Sequence, residues 1–357
     1  MEVNMNKNKK DSLEKEQAST SARESLVRVR EAHSLHAHSL LQIPGVIAVS
    51  IGRKVKGGVR TDRLAVRVSV QVKRPLTLVP PEQRIPTELT SEGGALVETD
   101  VDEMEMPSAP LPRMLRTDSS AAAQPGAGKL ELRLYRRPVL GGLSASSIRF
   151  SIGTIAIPVC DSSQPGILYL LSNNHVFAFL NAGRVGDAIL QPAPEDGGTY
   201  PASIIARLTR WIPLQLGIGS TNTVDAALAY VPTGYALPTV TWVGQPTQTR
   251  PASDVHVGDL VRKVGRTTGL TSGEIIGIAA SVKVNYALAG FGNKQTTLVD
   301  QILTSPMAGY GDSGSLLLDT SNYAVGMLAA GSRTATVFNY FQNVATALNV
   351  TLAQSHW

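Results

Sequence analysis

The sequence of 357 residues contains one cysteine, Cys160, so no internal disulfide framework holds it together. No uninterrupted apolar run reaches the ~18 residues of a membrane-crossing helix, and the opening residues lack the apolar segment of a secretory signal. These absences predict a soluble, cytoplasmic protein with no membrane partner. Charged residues make up only 17% of the chain, too few for a coiled coil. The net charge of +5 is confined to the first part: residues 1–137 hold 22 Lys and Arg against 17 Asp and Glu, whereas residues 138–357 hold 11 of each. That second part has no basic stripe interleaved with aromatics, so nucleic acid is not an expected partner. The sequence carries no signal for an oligomeric state.

What is present is a core-forming composition, 43% hydrophobic, punctuated by 32 Gly and 21 Pro. Short Val/Ile/Leu/Ala/Thr runs between such residues point to many strands and turns. Residues 1–25 are polar and predicted to be disordered or a frayed helix. Residues 1–41 are read together as a tail and a helix, with Leu26, Val29, Ala32, Leu35 and Leu40 as an imperfect apolar stripe. His33 and His36 share a face, but no Cys or carboxylate completes a metal set, so a solvated surface is expected. Residues 42–104 read as a small α+β domain: strands over Val46 to Val55 and Leu64 to Val72, a helix near Pro80 to Leu89, and a strand near Ala95 to Val101. It carries neither a paired histidine and carboxylate nor a phosphate loop, and no cofactor is expected. Residues 105–129, with Pro107, Pro110 and Pro112 followed by a Ser/Ala/Gly tract that includes Pro125, read as a linker.

From residue 130 to 357 the pattern is all-β. Strand-like runs recur at Glu131–Arg136, Ile148–Val159, Ile167–Leu171, Ile204–Leu208, Ala226–Val231, Glu274–Val284, Thr297–Leu303, Ser315–Leu318 and Ala324–Ala329. Close spacing and Gly/Pro/Asn/Asp punctuation favour barrels or a sandwich over alternating β and α. One helix is expected, from Val337 to about Asn349, carrying Phe338, Phe341, Val344, Ala345 and Leu348 on one face.

Three short stretches carry chemistry. Gly311-Asp312-Ser313-Gly314-Ser315 falls between two predicted strands. Its glycines allow a tight turn that exposes Ser313 and aims the Gly311 and Ser313 amides at one spot, the arrangement that receives an oxyanion. A serine hydroxyl needs a base to take its proton. His175 stands directly after an apolar strand, in Ser-Asn-Asn-His-Val-Phe. Asp225 opens the otherwise apolar Val-Asp-Ala-Ala-Leu-Ala-Tyr; a carboxylate buried there needs a hydrogen-bond donor. The His175 ring N–H is that expected donor, which would fix its tautomer and stabilise the imidazolium. Of the other histidines after residue 130, His256 lies in a polar turn and His356 adjoins the C-terminus. The Gly-x-Ser-x-Gly elbow of α/β-hydrolases does not fit, because residue 315 is serine and alternating helices are missing. Cys160, Asp161, Glu195 and Asp196 are too isolated to suggest metal binding.

The order His175, Asp225, Ser313 in these contexts resembles the chymotrypsin/trypsin-like serine peptidases, with Asn-Asn-His-Val closer to their bacterial branch. Residues 265–273 (Gly-Arg-Thr-Thr-Gly-Leu-Thr-Ser-Gly) resemble the hairpin before the serine loop, and residues 325–331 (Val-Gly-Met-Leu-Ala-Ala-Gly) the strand that lines the specificity pocket. With Ile43-Pro44-Gly45-Val46 and Ile189-Leu190-Gln191-Pro192, the layout is similar to bacterial trypsin-like peptidases with a small N-terminal domain. The resemblance covers 138–357 well and 40–105 loosely.

It implies an all-β catalytic domain of two six-stranded antiparallel β-barrels with a C-terminal helix, preceded by the α+β domain. His175 and Asp225 would come from the first barrel and Ser313 from the second. Met307 would form the base of the substrate pocket, and Ala329, Ala330 and Gly331 its walls. With no carboxylate at that base, a medium apolar residue is expected before the cut bond rather than Arg or Lys. Asp312 would need an internal partner, for which Arg266 is the candidate. The expected activity is a serine endopeptidase acting on a protein or peptide, of restricted specificity, as a bacterial processing or defence effector. Self-cleavage in the linker is expected after Met104, Met106, Met114 or Leu115. The rivals are a non-catalytic pseudopeptidase that binds a partner, and a serine esterase.

Overall fold

The computed structural model describes residues 23–109, 128–150, 152–288 and 292–354. The polar start, most of the linker (with Met114 and Leu115) and His356 lie outside them. The chain divides after Glu103 into two units, Met1–Glu103 and Met104–Trp357. Among the described residues no helix is long and apolar enough to cross a membrane.

In the first unit a helix over 23–42 buries Val29, Ala32, Ala37, Leu40 and Leu41, whereas Leu35 is exposed. His33 is buried, against the expectation of a solvated surface. The ring nitrogens of His33 and His36 hydrogen-bond the carbonyls of Val49 and Thr90 at 3.3 and 3.0 Å, tying the helix to two strands. Among the described residues no group of His, Cys, Asp and Glu is placed to hold a metal. The strands Val46–Lys56 and Val59–Val70 form an antiparallel hairpin. Leu96–Glu103 lies parallel to the second of these and antiparallel to the short strand Glu88–Thr90. Instead of a helix over 80–89 there are two 3₁₀ turns, Leu76–Leu78 and Pro81–Gln83. Pro80, Pro81 and Pro86 withhold amide donors, and Pro86 keeps Ile85 out of the helical region.

The second unit holds two closed rings of strands. In the first, the segment 142–147 meets 153–157 through the Ser144–Thr154 bridge and flanking main-chain hydrogen bonds. The chain runs on into Pro158–Asp161, then antiparallel neighbours follow in the order Gln164–Ser172, Ala227–Tyr230, Ile204–Trp211, Ala188–Leu190 and back to Ser146–Ser147. Ile157, Leu170, Ile189 and Leu208 fill its core. The second ring runs Leu260–Gly265, Gly269–Leu288, Gly292–Thr304, Thr336–Tyr340, Ala324–Gly331 and Leu316–Asp319, each antiparallel to the next and the last to the first. Both are thus six-stranded antiparallel barrels.

Three sequence expectations change. Ile148–Val159 is not one strand, because residues 148–150 form a turn and the strand there is Pro158–Asp161. Glu131–Arg136 is not a strand; a short helix, Gly128–Glu131, precedes a loop there. The C-terminal helix spans Phe341–Leu348 only, because Thr336–Tyr340 is a barrel strand. Phe338 therefore packs in the barrel rather than on the helix stripe, as its β-favouring neighbours Thr336, Val337 and Tyr340 would have it. Phe341, Val344 and Leu348 do form the buried stripe.

Candidate active site

The strand Gln164–Ser172 ends in a single helical turn, Asn174–Phe177, whose preceding residue Asn173 makes no side-chain cap. The Asn173 amide instead donates to the carbonyl of Asp225 at 2.8 Å. The first amides of a helix have no intrahelical acceptor; that of His175 donates to Asp225 Oδ1 at 3.2 Å. The His175 ring Nδ1 lies 2.6 Å from Asp225 Oδ2. Both residues are fully buried.

Two residues complete the surroundings of Asp225 and were not singled out from sequence. The Tyr286 hydroxyl donates to Asp225 Oδ2 at 2.8 Å, and its ring packs edge-on to His175 with centroids 5.8 Å apart. Burial, then the charge and hydrogen bond of Asp225, push the Tyr286 phenol well above its usual value, so it stays protonated and donates. Asn339 Oδ1 accepts the Asp225 main-chain N–H at 3.0 Å, and its amide donates to Gln301 Oε1 at 2.6 Å. The carboxylate thus accepts from three donors, as a buried charge requires. A signal for Tyr286 existed in the alternation of Val282, Val284 and Tyr286, which all point inward. A buried tyrosine hydroxyl demands a partner.

Ser313 sits on the loop between Gly292–Thr304 and Leu316–Asp319. Its carbonyl accepts from the Thr154 amide at 2.9 Å, and the Gly314 amide donates to Leu328 at 3.0 Å. At Gly314, φ is +95°, and a Cβ would stand 2.3 Å from both Ser172 Oγ and the Thr154 carbonyl oxygen. The loop therefore lies directly against the strand end that carries His175. Gly311 also has φ +95°, and among the described residues no acceptor takes up the Gly311 or Ser313 amide. Ser313 Oγ and His175 Nε2 are both buried and make no hydrogen bond.

Asp312 is anchored beneath this loop, by a partner other than the expected one. Its Oδ2 receives Lys263 Nζ at 2.9 Å, Thr268 Oγ1 at 2.6 Å and the Gly309 amide at 2.9 Å; its Oδ1 receives the Thr267 amide at 2.7 Å. Lys263 and Asp312 side chains are both fully buried. Burial alone would raise the Asp312 carboxyl, but the Lys263 ammonium and the hydrogen bonds of Thr268, Lys263 and Gly309 outweigh it and hold it below the usual carboxylate range. Arg266, the sequence candidate, turns away to a fork on Asp196, with Nε 2.6 Å from Oδ2. The 265–273 hairpin still serves Asp312, through the amides and hydroxyl of Thr267 and Thr268.

Met307, Ala329, Ala330 and Gly331 are all buried near this loop. The Met307 amide donates to Thr336 Oγ1 at 3.0 Å and its carbonyl accepts from Thr271 Oγ1 at 2.8 Å. The strand bearing 329–331 also supplies Leu328, which accepts from Gly314 and donates to the carbonyl of Ser315. His256 is exposed and remote from these groups in the hydrogen-bond network, its amide bonding Asp259.

The sequence matches no family model, and no curated relative matches it. Solved structures similar to it include the Nocardiopsis protease NAPase, at 18% identity and TM-score 0.43, covering 60% of this chain and 99% of that one. Cellulomonas bogoriensis chymotrypsin aligns at 22% identity and TM-score 0.41, covering 60% and 97%. Thermobifida fusca protease A does so at 18% and 0.42, covering 60% and 98%. The likeness is one of fold alone. The second unit shows the two six-stranded antiparallel barrels expected from the resemblance to chymotrypsin-like serine peptidases.

Proposed function

We propose that the second unit is a serine endopeptidase in which Ser313 is the nucleophile, His175 the base and Asp225 the group that orients it. The observation that carries this reading is the fully buried 2.6 Å contact between His175 Nδ1 and Asp225. A carboxylate there keeps the proton on Nδ1 and leaves Nε2 free to accept one. Ser313 Oγ attacks the peptide carbonyl carbon while its proton passes to Nε2. The negative charge on the carbonyl oxygen is received by the Gly311 and Ser313 amides. His175 returns the proton to the departing amine, and a water repeats the sequence to release the acyl group from Ser313. No cofactor is needed for these steps.

Met307, Ala329, Ala330 and Gly331 are the proposed substrate pocket, without a carboxylate at its base, which favours a medium apolar residue. A restricted protein substrate, as for a bacterial processing or defence effector, fits an enzyme whose nucleophile is buried. The lone buried cysteine, Cys160, leaves the fold without an internal disulfide, as suits a reducing compartment such as the cytoplasm. Self-processing is proposed in the linker, after Met104, Met106, Met114 or Leu115. Met104 is buried and Met106 half-buried, so cuts there need the segment to leave its place first. Wild type and Ser313→Ala incubated side by side test this; equal absence of shortened product in both defeats it.

The reading itself is tested by a fluorophosphonate probe with mapping of the adduct, alongside a peptide library and small esters. Labelling at Ser313 and cleavage of peptides are expected. A pseudopeptidase would leave Ser313 unmodified, and an esterase would turn over the esters alone.

A further inference from the structure

A nucleophile and base that act on a polypeptide must meet it, yet His175 and Ser313 are 0% and 1% exposed. The chain's own residues 104–109 are seated on two strands that also support these groups. Ser108 and Ala109 form a two-residue strand that pairs in parallel with Asn285 and Tyr286, and Ser108 pairs antiparallel with Gly331. The Asn285 amide donates to the Pro107 carbonyl at 2.9 Å. One wall of this seat therefore carries Tyr286, which holds Asp225 and touches the His175 ring. The other wall is the strand whose Leu328 braces the Ser313 loop. Ala109 is fully buried, and Met104 and Pro107 are buried.

The outer end is fastened separately. Arg333 forms a fork on the Glu105 carboxylate, with Nε 2.7 Å from Oε1, and its amide reaches the other oxygen at 3.2 Å. The Glu105 amide donates to Thr334 Oγ1 at 2.9 Å. Main-chain pairing to two strands with one polar fastening is how an extended peptide is taken up by a sheet edge. Here the peptide is intramolecular, so its effective concentration is high without strong contacts.

We infer that residues 104–109 are a built-in occupant of the cleft, a strand that holds the enzyme latent until it is withdrawn. This rests on the proposed function, because latency has meaning only if Ser313 is a nucleophile. The strand is short and its Glu105–Arg333 fastening lies at the rim, so it is suited to leave. Apparent activity then falls with the fraction of molecules in which the strand is out.

The test uses the full chain in three forms: wild type, Glu105→Arg, and Glu105→Arg with Arg333→Glu, which restores the pair with its charges exchanged. Hydrogen exchange of residues 104–109 and the rate of fluorophosphonate labelling at Ser313 are both read. Wild type should be protected and label slowly; Glu105→Arg should lose protection and label about tenfold faster, as release of an occluding segment predicts; the exchanged pair should restore both. Free exchange of 104–109 in wild type overturns the inference, and so does one labelling rate shared by all three. Protection lost in Glu105→Arg with no labelling in any form would uphold the seated strand and bring down the peptidase reading instead.

Discussion

At the scale of single residues, the environment of Asp225 sets what the site can do. A buried carboxylate survives only with donors on it, and here the donors are His175 twice and the Tyr286 hydroxyl. Tyr286 is a positioning residue, acting through Asp225. Tyr286→Phe keeps the ring against His175 and removes one charge-assisted hydrogen bond, a contribution of about 1.5–3 kcal/mol. We expect kcat to fall roughly tenfold or more with KM little changed, since the loss concerns the imidazolium formed in the transition state; steady-state kinetics on a peptide substrate decides this. An equal rise in KM with unchanged kcat would place Tyr286 in substrate binding. Asp225→Asn has a harsher outcome, because an amide can no longer hold the proton on Nδ1. The loss expected by analogy with other triads is about 10⁴ in kcat, read in the same assay.

At the scale of elements, the buried Lys263–Asp312 pair ties the strand Leu260–Gly265 to the serine loop. Lys263→Met leaves the Asp312 charge buried without its counter-ion, which should cost about 3–5 kcal/mol in denaturant unfolding. The pH dependence should differ in sign. In wild type the Asp312 carboxyl is held low, so its contribution to stability is present above the unfolded value of about 3.9 and is lost as pH falls further. In the variant, burial is left as the main influence and raises the carboxyl, so the deficit should shrink as pH falls from 7 towards 4. Melting temperatures of both chains across that range check the sign. This pair also shows where the sequence was legible. The serine loop, His175 and Asp225 each sit in short local patterns, and the structure brings His175 and Asp225 into contact. Barrel strands such as Gln164–Ser172, Ile204–Trp211 and Ala324–Gly331 were visible as apolar runs, whereas Ala188–Leu190 and Leu260–Gly265 were not picked out. Lys263 was not legible either, because a lysine at an inward strand position looks like any surface lysine until its non-local partner is known; Arg266 was the candidate because the resemblance implied an internal arginine. Thr336–Tyr340 likewise shows helical spacing with the residues after it, and only its pairing with Gly292–Thr304 and Ala324–Gly331 makes it a strand.

At the scale of the whole molecule, the helix 23–42 and the small sheet belong to one unit and the two barrels to the other. What the sequence presents as the start of a linker is, over residues 104–109, part of the second unit. Its residues are ordinary for a linker, with two prolines flanking the small pair Ser108-Ala109, and nothing local reveals the walls they meet. The central claim, that Ser313 is a nucleophile served by His175, is tested most directly by mapping the site of fluorophosphonate modification. The full chain and its Glu105→Arg, Ser313→Ala and His175→Ala forms should be treated in parallel and analysed by peptide mass. The account predicts a single adduct on Ser313, faster in Glu105→Arg, absent in Ser313→Ala and almost absent in His175→Ala. An unmodified Ser313 in both the wild type and Glu105→Arg, or an adduct rate unaffected by the loss of His175, would contradict it.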